Sequence, residues 1–237
     1  MTIEPFDYRD GDTPLRGYLA REDVQANRRP AVLVVHEAFG LDGHVKERSQ
    51  RLAEIGYVAL AADMYDQMPR DRAHAMELMK SLRSDPAKVR QRARAALDAL
   101  ASHPSVDSSR MAAIGYCFGG YVALELARDG VRLRGVVSFH GSLKTDRPAE
   151  PGTIKAKVLV CHGANDPFIP PADVVAFEDE MRRAGTDWQV ISYGNAVHGF
   201  TNRQADARGI KGVGYSESAD RRSWAAMRSF FEEIFAG

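Results

Sequence analysis

The stretch MAAIGYCFGGYVALELAR, residues 111–128, organises the reading of the whole chain. Its first five residues are small or apolar, as a buried strand requires. Residues 120–128 carry helical spacing and stop near Gly130. Between them, Gly115-Tyr116-Cys117-Phe118-Gly119-Gly120 has the form G-x-S-x-G, with Cys117 in place of serine. That pattern marks a very tight strand-to-helix turn that holds its central residue in a strained backbone conformation. Glycines two before and two after it remove side chains that would clash. The positive end of the following helix points at Cys117 and favours a thiolate. Cys117 is therefore the candidate nucleophile. As a merely buried small hydrophobe it would leave the glycine frame unexplained. A dinucleotide-binding loop needs G-x-G-x-x-G, and position 117 is not glycine.

Working outward, residues 3–8 and 15–20 read as two short strands around Asp10-Gly11-Asp12, an N-terminal antiparallel hairpin. From residue 31 the texture changes. Short apolar runs at 31–35, 57–62, 111–115, 133–139, 157–161 and 188–193 have the composition of buried parallel strands. Between and after them, 45–55, 71–83, 87–102, 120–128, 172–184 and 216–235 read as helices. Pro86 suits a first helical position, and Gly56 and Gly185 stop the helices before them. Strand and helix alternate to the end, so the expected fold class is α/β: a mostly parallel sheet with helices on both faces, in one domain over 1–237. In such sheets ligands bind beyond the carboxyl ends of the strands.

Composition narrows the function class. The 237 residues hold 32 Lys+Arg against 32 Asp+Glu, with 44% hydrophobic residues. A balanced charge provides no electrostatic footprint for nucleic acid or an acidic membrane. Two cysteines, Cys117 and Cys161, make no disulfide framework and fit a reduced, cytoplasmic setting. No leader pattern and no apolar run of about 20 residues is visible.

Two more loops follow late strands. His162-Gly163-Ala164-Asn165-Asp166-Pro167 follows the strand at 157–161, and Gly194-Asn195-Ala196-Val197-His198-Gly199-Phe200 follows the strand at 188–193. Alone, Asp166 is a turn aspartate before proline and His198 a loop histidine. Together with Cys117 they stand in the chain order nucleophile, acid, histidine, each after a strand. His198 would take the thiol proton and return it to the leaving group, and Asp166 would fix the imidazole tautomer. A fourth loop, His36-Glu37-Ala38-Phe39-Gly40, follows the strand at 31–35 and sits where one backbone amide of an oxyanion hole is supplied. The backbone amides of Ala38 and Phe118 are assigned that role. HEAFG is not H-E-x-x-H, so no zinc site is expected.

These residues, HEAFG at 36–40, GYCFGG at 115–120, the Asp166 loop and AVHGF at 196–200, resemble the dienelactone hydrolase family of the α/β-hydrolase superfamily over nearly the whole chain. The resemblance implies an α/β-hydrolase fold and a Cys117–His198–Asp166 triad. It also implies carboxymethylenebutenolidase-like hydrolysis of small esters or lactones through an acyl-enzyme, without metal or organic cofactor. It implies that Glu37 holds the resting thiol until substrate swings it toward the histidine; pairing of Glu37 with a nearby cation is the alternative. In the family, an arginine four residues after the catalytic histidine binds a substrate carboxylate. Here that position is Asn202, with Arg203 beside it, and Arg70, Arg72 and Arg83 are candidates for a second.

Phe39, Phe168 and Phe200 are candidates for an apolar pocket wall. His140 lines the pocket or serves a structural role. His162 reads as structural, and His44, His74 and His103 as surface or capping residues. Cys161 reads as an inert core thiol, and Lys88, Arg90, Arg92 and Arg94 as a solvated helix face. The expected protein is a monomer or weak homodimer acting on a small-molecule ester or lactone. Rival readings are a thioesterase or general carboxylesterase, a non-catalytic ligand-binding protein on the same scaffold, and a redox-sensing thiol.

Overall fold

The computed structural model describes residues 1–22 and 28–236. By compactness the chain forms two units, Met1–Ile114 and Gly115–Gly237. The first opens with the antiparallel pair β1 (Thr2–Asp10) and β2 (Thr13–Arg21), in register from Thr2↔Arg21 to Asp10↔Thr13. The turn is the two residues Gly11-Asp12, with Gly11 at φ 56°, the left-handed region that glycine enters without steric cost. β3 (Arg29–Val35) and β4 (Val58–Ala62) are parallel, and β2 joins β4 antiparallel. With β5 (Val106–Tyr116) the order is β1-β2-β4-β3-β5. Val32, Leu33, Val34, Ala59 and Leu60 have no exposed surface, as expected of runs without polar alternation.

The helices of this unit start on aspartates. Asp42 caps α1 (Gly43–Glu54), Asp71 caps α2 (Arg72–Arg83) and Asp85 caps α3 (Pro86–Ala101), each side chain accepting from backbone amides of the first turn. Two expectations are corrected here. Arg92 does not lie on a solvated face: it is buried, its Nε donates to Asp10 Oδ2 at 2.8 Å and its Nη1 to the Met64 carbonyl at 3.1 Å. Gln91 holds the other Asp10 oxygen at 2.7 Å. His44 is not a surface residue either; it is buried and its Nε2 accepts from the buried Arg48 at 3.3 Å. In both cases the helix turns one charged side chain against a buried acceptor, which charge spacing alone does not reveal.

The second unit runs α4 (Phe118–Arg128), β6 (Gly135–Phe139), β7 (Lys157–Gly163), α5 (Pro171–Ala184), β8 (Trp188–Tyr193) and α6 (Glu217–Phe235). β6, β7 and β8 pair in parallel in that order. Every residue of α4 is buried, so its Glu125 and Arg128 need internal partners. Arg128 grips Glu180 of α5 bidentately at 2.9 and 2.8 Å, reaches Glu125 at 3.1 Å and donates to the Leu143 carbonyl at 2.8 Å. Among the described residues no helix is long and apolar enough to cross a membrane.

Removing Arg128 would leave Glu125 and Glu180 buried without their cation. Arg128→Ala is expected to lower the free energy of unfolding by about 3–5 kcal/mol. Denaturant titration checks this; a loss below about 1 kcal/mol would contradict the role assigned to the cluster.

Candidate active site

Cys117 sits between β5 and α4 with φ 54° and ψ −112°, a left-handed backbone that a non-glycine residue adopts only under constraint. The constraint is the turn itself. A Cβ on Gly115 would stand 1.9 Å from the Gly119 carbonyl oxygen, so no other residue fits there. A Cβ on Gly120 would stand 2.6 Å from Ser138 Oγ and 2.8 Å from Gly141 Cα, so α4 approaches the end of β6 backbone to backbone. The Cys117 amide donates to the Phe139 carbonyl at 3.0 Å and to His140 Nδ1 at 3.1 Å. Phe118 is the first residue of α4, where the helical ladder supplies no acceptor for its amide.

The loops after β7 and β8 are laced together. Asn165 N donates to the Ala196 carbonyl at 2.9 Å, and Ala164 N to that of Tyr193 at 3.0 Å. Gly163 allows the approach, since a Cβ there would come within 2.8 Å of both the Ala196 and Val197 carbonyl oxygens. His198 is then pinned from the other side. Its amide donates to Gly212 O at 3.1 Å, and its carbonyl accepts from Gly214 N at 3.0 Å.

These anchors bring three side chains into line. His198 Nε2 lies 3.0 Å from Cys117 Sγ, and His198 Nδ1 lies 2.8 Å from Asp166 Oδ2. The Asp166 side chain is fully buried, and its other oxygen accepts from the Phe168 amide at 2.9 Å. Nδ1 therefore carries a proton toward Asp166 and Nε2 faces the sulfur. Burial works against a charged imidazole, but its interactions with Cys117 and the Asp166 carboxylate outweigh it. The His198 pKa is raised well above 6.5. The thiol is aligned with the histidine.

The other candidate residues separate by environment. Phe168 is 53% exposed and stands edge-on to the His198 ring, centroids 5.2 Å apart. Phe200 has no exposed surface and packs edge-on to His140 at 5.1 Å. His140 is buried, with Nδ1 on the Cys117 amide and Nε2 on Thr201 Oγ1 at 2.8 Å. Asn202 is buried and its side chain caps the Gln204 amide. Arg203 is exposed. Arg70 and Arg72 are exposed and Arg83 is half-buried. Cys161 is buried, and burial pushes its thiol up to about 12. His162 is buried too, and burial lowers its pKa.

In the first unit, Glu37 and Ala38 are buried and Phe39 half-buried in the turn after β3, where Gly40 N donates to the Glu37 carbonyl at 3.4 Å. His36 braces this turn. Its Nδ1 donates to the same carbonyl at 2.6 Å, and its Nε2 accepts from Met64 N at 3.2 Å. Burial lowers its pKa, consistent with a neutral ring. The bracing roles of His36, His140 and Thr201 were not legible in the sequence. The one available signal was that the two histidines directly follow apolar strands.

Comparison with known proteins adds four findings. The profile of the dienelactone hydrolase family matches residues 15–235. The crystal structure of a dienelactone hydrolase-like promiscuous phosphotriesterase from metagenomic libraries is 45% identical, with a TM-score of 0.92 over 98% of both chains, so the two share one α/β-hydrolase-type fold. A Salmonella typhimurium protein provisionally named carboxymethylenebutenolidase is 30% identical over 230 residues, 91% of this chain and 82% of that one. An uncharacterised Caenorhabditis elegans protein is 39% identical over 156 residues, 63% of this chain and 96% of its own.

The raised pKa means that the native state binds the His198 proton more tightly than a free imidazole does. Imidazole NMR should show His198 still protonated above pH 6.5. Cys117→Ala should move its titration midpoint downward, because the sulfur anion is the largest favourable partner. An unmoved midpoint would exclude a thiolate–imidazolium pair.

Proposed function

Because the chain belongs to the dienelactone hydrolase family and is a dienelactone hydrolase-like hydrolase, we propose that it opens small carboxylic esters and lactones, enol-lactones foremost, with Cys117, His198 and Asp166 as its triad. One geometry carries this: Cys117 Sγ 3.0 Å from His198 Nε2, and His198 Nδ1 2.8 Å from Asp166 Oδ2, on a tight strand-to-helix turn.

The thiolate attacks the carbonyl carbon, and its electron pair forms the S–C bond as the C=O pair moves onto oxygen. The amides of Phe118 and Ala38 are assigned to that oxyanion on their loop positions; one such donor is worth roughly 100- to 1000-fold in rate. The oxyanion collapses, the ester C–O bond breaks, and His198 Nε2–H protonates the departing oxygen. In a lactone that oxygen stays tethered to the acyl chain, so the ring opens on the enzyme. His198 then takes a proton from water, hydroxide attacks the thioester, and the thiolate leaves. Asp166 holds the ring in place and stabilises the imidazolium whenever it forms. Glu37 is assigned to the thiol in the rotamer where it turns from His198.

Phe168, exposed and edge-on to His198, suits an apolar substrate face, with Phe39 as a further wall. Arg203 is the candidate for a substrate carboxylate. Residues 1–237 are read as one domain, since β5 continues unbroken through residue 114 and the matched structure covers 98% of the chain. Balanced charge and two free cysteines support a cytoplasmic monomer or weak homodimer acting on small molecules, without nucleic acid or membrane. A second reading, phosphotriester cleavage at the same thiolate, is favoured by the 45% identical relative described as a phosphotriesterase.

A panel of lactones, p-nitrophenyl esters, acyl-CoA thioesters and phosphotriesters discriminates these chemistries. Cys117→Ala is expected to reduce kcat on every accepted substrate by about 10³-fold or more. Turnover near wild type in that variant would remove the proposed nucleophile. A preference for thioesters would assign the chain to thioester hydrolysis instead.

A further inference from the structure

The proposed mechanism leaves one polar side chain at the site without a task. His140 is 1% exposed, immediately follows β6, and has φ 41°, a left-handed backbone uncommon for a residue with a side chain. Both ring nitrogens are engaged, each with a different part of the site. Nδ1 accepts from the Cys117 amide at 3.1 Å, sharing that donor with the Phe139 carbonyl at 3.0 Å. An accepting Nδ1 in a neutral ring leaves the proton on Nε2, which donates to Thr201 Oγ1 at 2.8 Å. Thr201 lies three residues beyond His198 on the same loop. The ring also packs edge-on to His198, centroids 5.3 Å apart, and to Phe200 at 5.1 Å.

We infer that His140 is a positioning residue that sets the distance between the Cys117 sulfur and the His198 imidazole, by binding the backbone of one and the loop of the other. This rests on the triad reading above. A single rigid ring spans the two loops, with hydrogen bonds of fixed polarity at its ends. Its packing against His198 limits lateral movement of that imidazole. A plain structural role would need neither the accepting nitrogen on the Cys117 amide nor the matched donor toward Thr201. Proton transfer between sulfur and imidazole depends steeply on their separation, and a displacement of about 1 Å can cost about 100-fold in rate.

The test uses His140→Asn, His140→Gln and His140→Ala in the full chain. Asn tolerates the left-handed backbone and can place Oδ1 where Nδ1 accepts from Cys117. Gln can place its Nε2 donor toward Thr201, but its Oε1 then does not coincide with Nδ1 at the Cys117 amide. On the best ester of the panel, His140→Gln and His140→Ala should lose roughly 10- to 100-fold in kcat with KM within about threefold, and His140→Asn should recover most of the loss. The pH profile of iodoacetamide alkylation of Cys117 reports the thiolate without turnover. Its midpoint should rise in His140→Gln and His140→Ala and stay near wild type in His140→Asn. Should His140→Ala fail to fold, the Asn and Gln variants carry the comparison alone.

Unchanged kcat and an unchanged alkylation profile in folded His140→Gln would overturn the inference, as would Asn and Gln variants that behave alike. Neither result would touch the triad, which stands or falls on Cys117→Ala. If Cys117→Ala stays active while the His140 variants still shift the alkylation midpoint, the triad reading fails and the positioning of the sulfur survives.

Discussion

The site depends on a backbone that changes direction within two residues. Cys117 has φ 54° because a strand ends at Tyr116 and a helix begins at Phe118. Such a conformation costs on the order of 1–3 kcal/mol and persists only when its surroundings overdetermine it. They do. Gly115 and Gly120 are positions where a Cβ would strike backbone, and the Cys117 amide is held by two acceptors. The helix leaving the turn is buried along its whole length and locked through Arg128 to Glu125 and Glu180. Strain at one residue is thus offset by packing and buried ion pairs over the next eleven. The product is a sulfur held at the positive end of a helix, facing a histidine.

Polar groups buried around the loops are satisfied in pairs whose polarity carries information. His36 donates from Nδ1 to a carbonyl and accepts at Nε2 from an amide, whereas His140 accepts at Nδ1 and donates from Nε2. Each neutral ring bridges two segments of its own unit and fixes a turn that follows a strand. His198 differs because its partners are a carboxylate and a sulfur, both able to carry negative charge, so its proton is held more tightly rather than lost to burial. The two buried neutral rings face backbone and hydroxyl groups, whereas the half-buried His198 faces a carboxylate and a sulfur, and its state follows those partners. An adjacent cysteine pair of environments makes the same point. Cys161, inside β7, is driven toward the neutral thiol by burial, while Cys117 stands half-exposed against an imidazole.

Periodicity made most of the elements legible. Residues 31–35 and 57–62 read as buried strands because they lack polar alternation, and the structure leaves 31–35 and 58–62 without exposed surface. Pro86 behind Asp85 and Gly185 at φ 67° mark helix ends as local chemistry requires. The order Cys117, Asp166, His198 was legible for the same reason: each follows a strand, and strand ends in parallel sheets converge. Residue roles set by a distant partner were not legible. Arg92 belongs to a run of basic residues, and nothing in the run distinguishes it from Arg90 or Arg94. Only the docking of α3 on the β1–β2 hairpin turns it toward Asp10.

The sequence by itself determined the alternation of strand and helix, the tight turn around Cys117 and the family to which the chain is similar. These follow from local properties: apolar spacing, glycine where a side chain cannot fit, and motifs a few residues long. Tertiary structure alone decided that Cys117 and His198, 81 positions apart, meet at 3.0 Å. It also decided that Phe200 is buried while Phe168 is exposed, and that His140 joins the Cys117 amide to Thr201. The physical reason is one of range. A turn is set by sterics between neighbouring residues, whereas a hydrogen bond across 81 residues exists only after the intervening strands have paired and their loops have locked. At Cys117 the two meet: its backbone was legible in five residues, and its partner only in the folded chain.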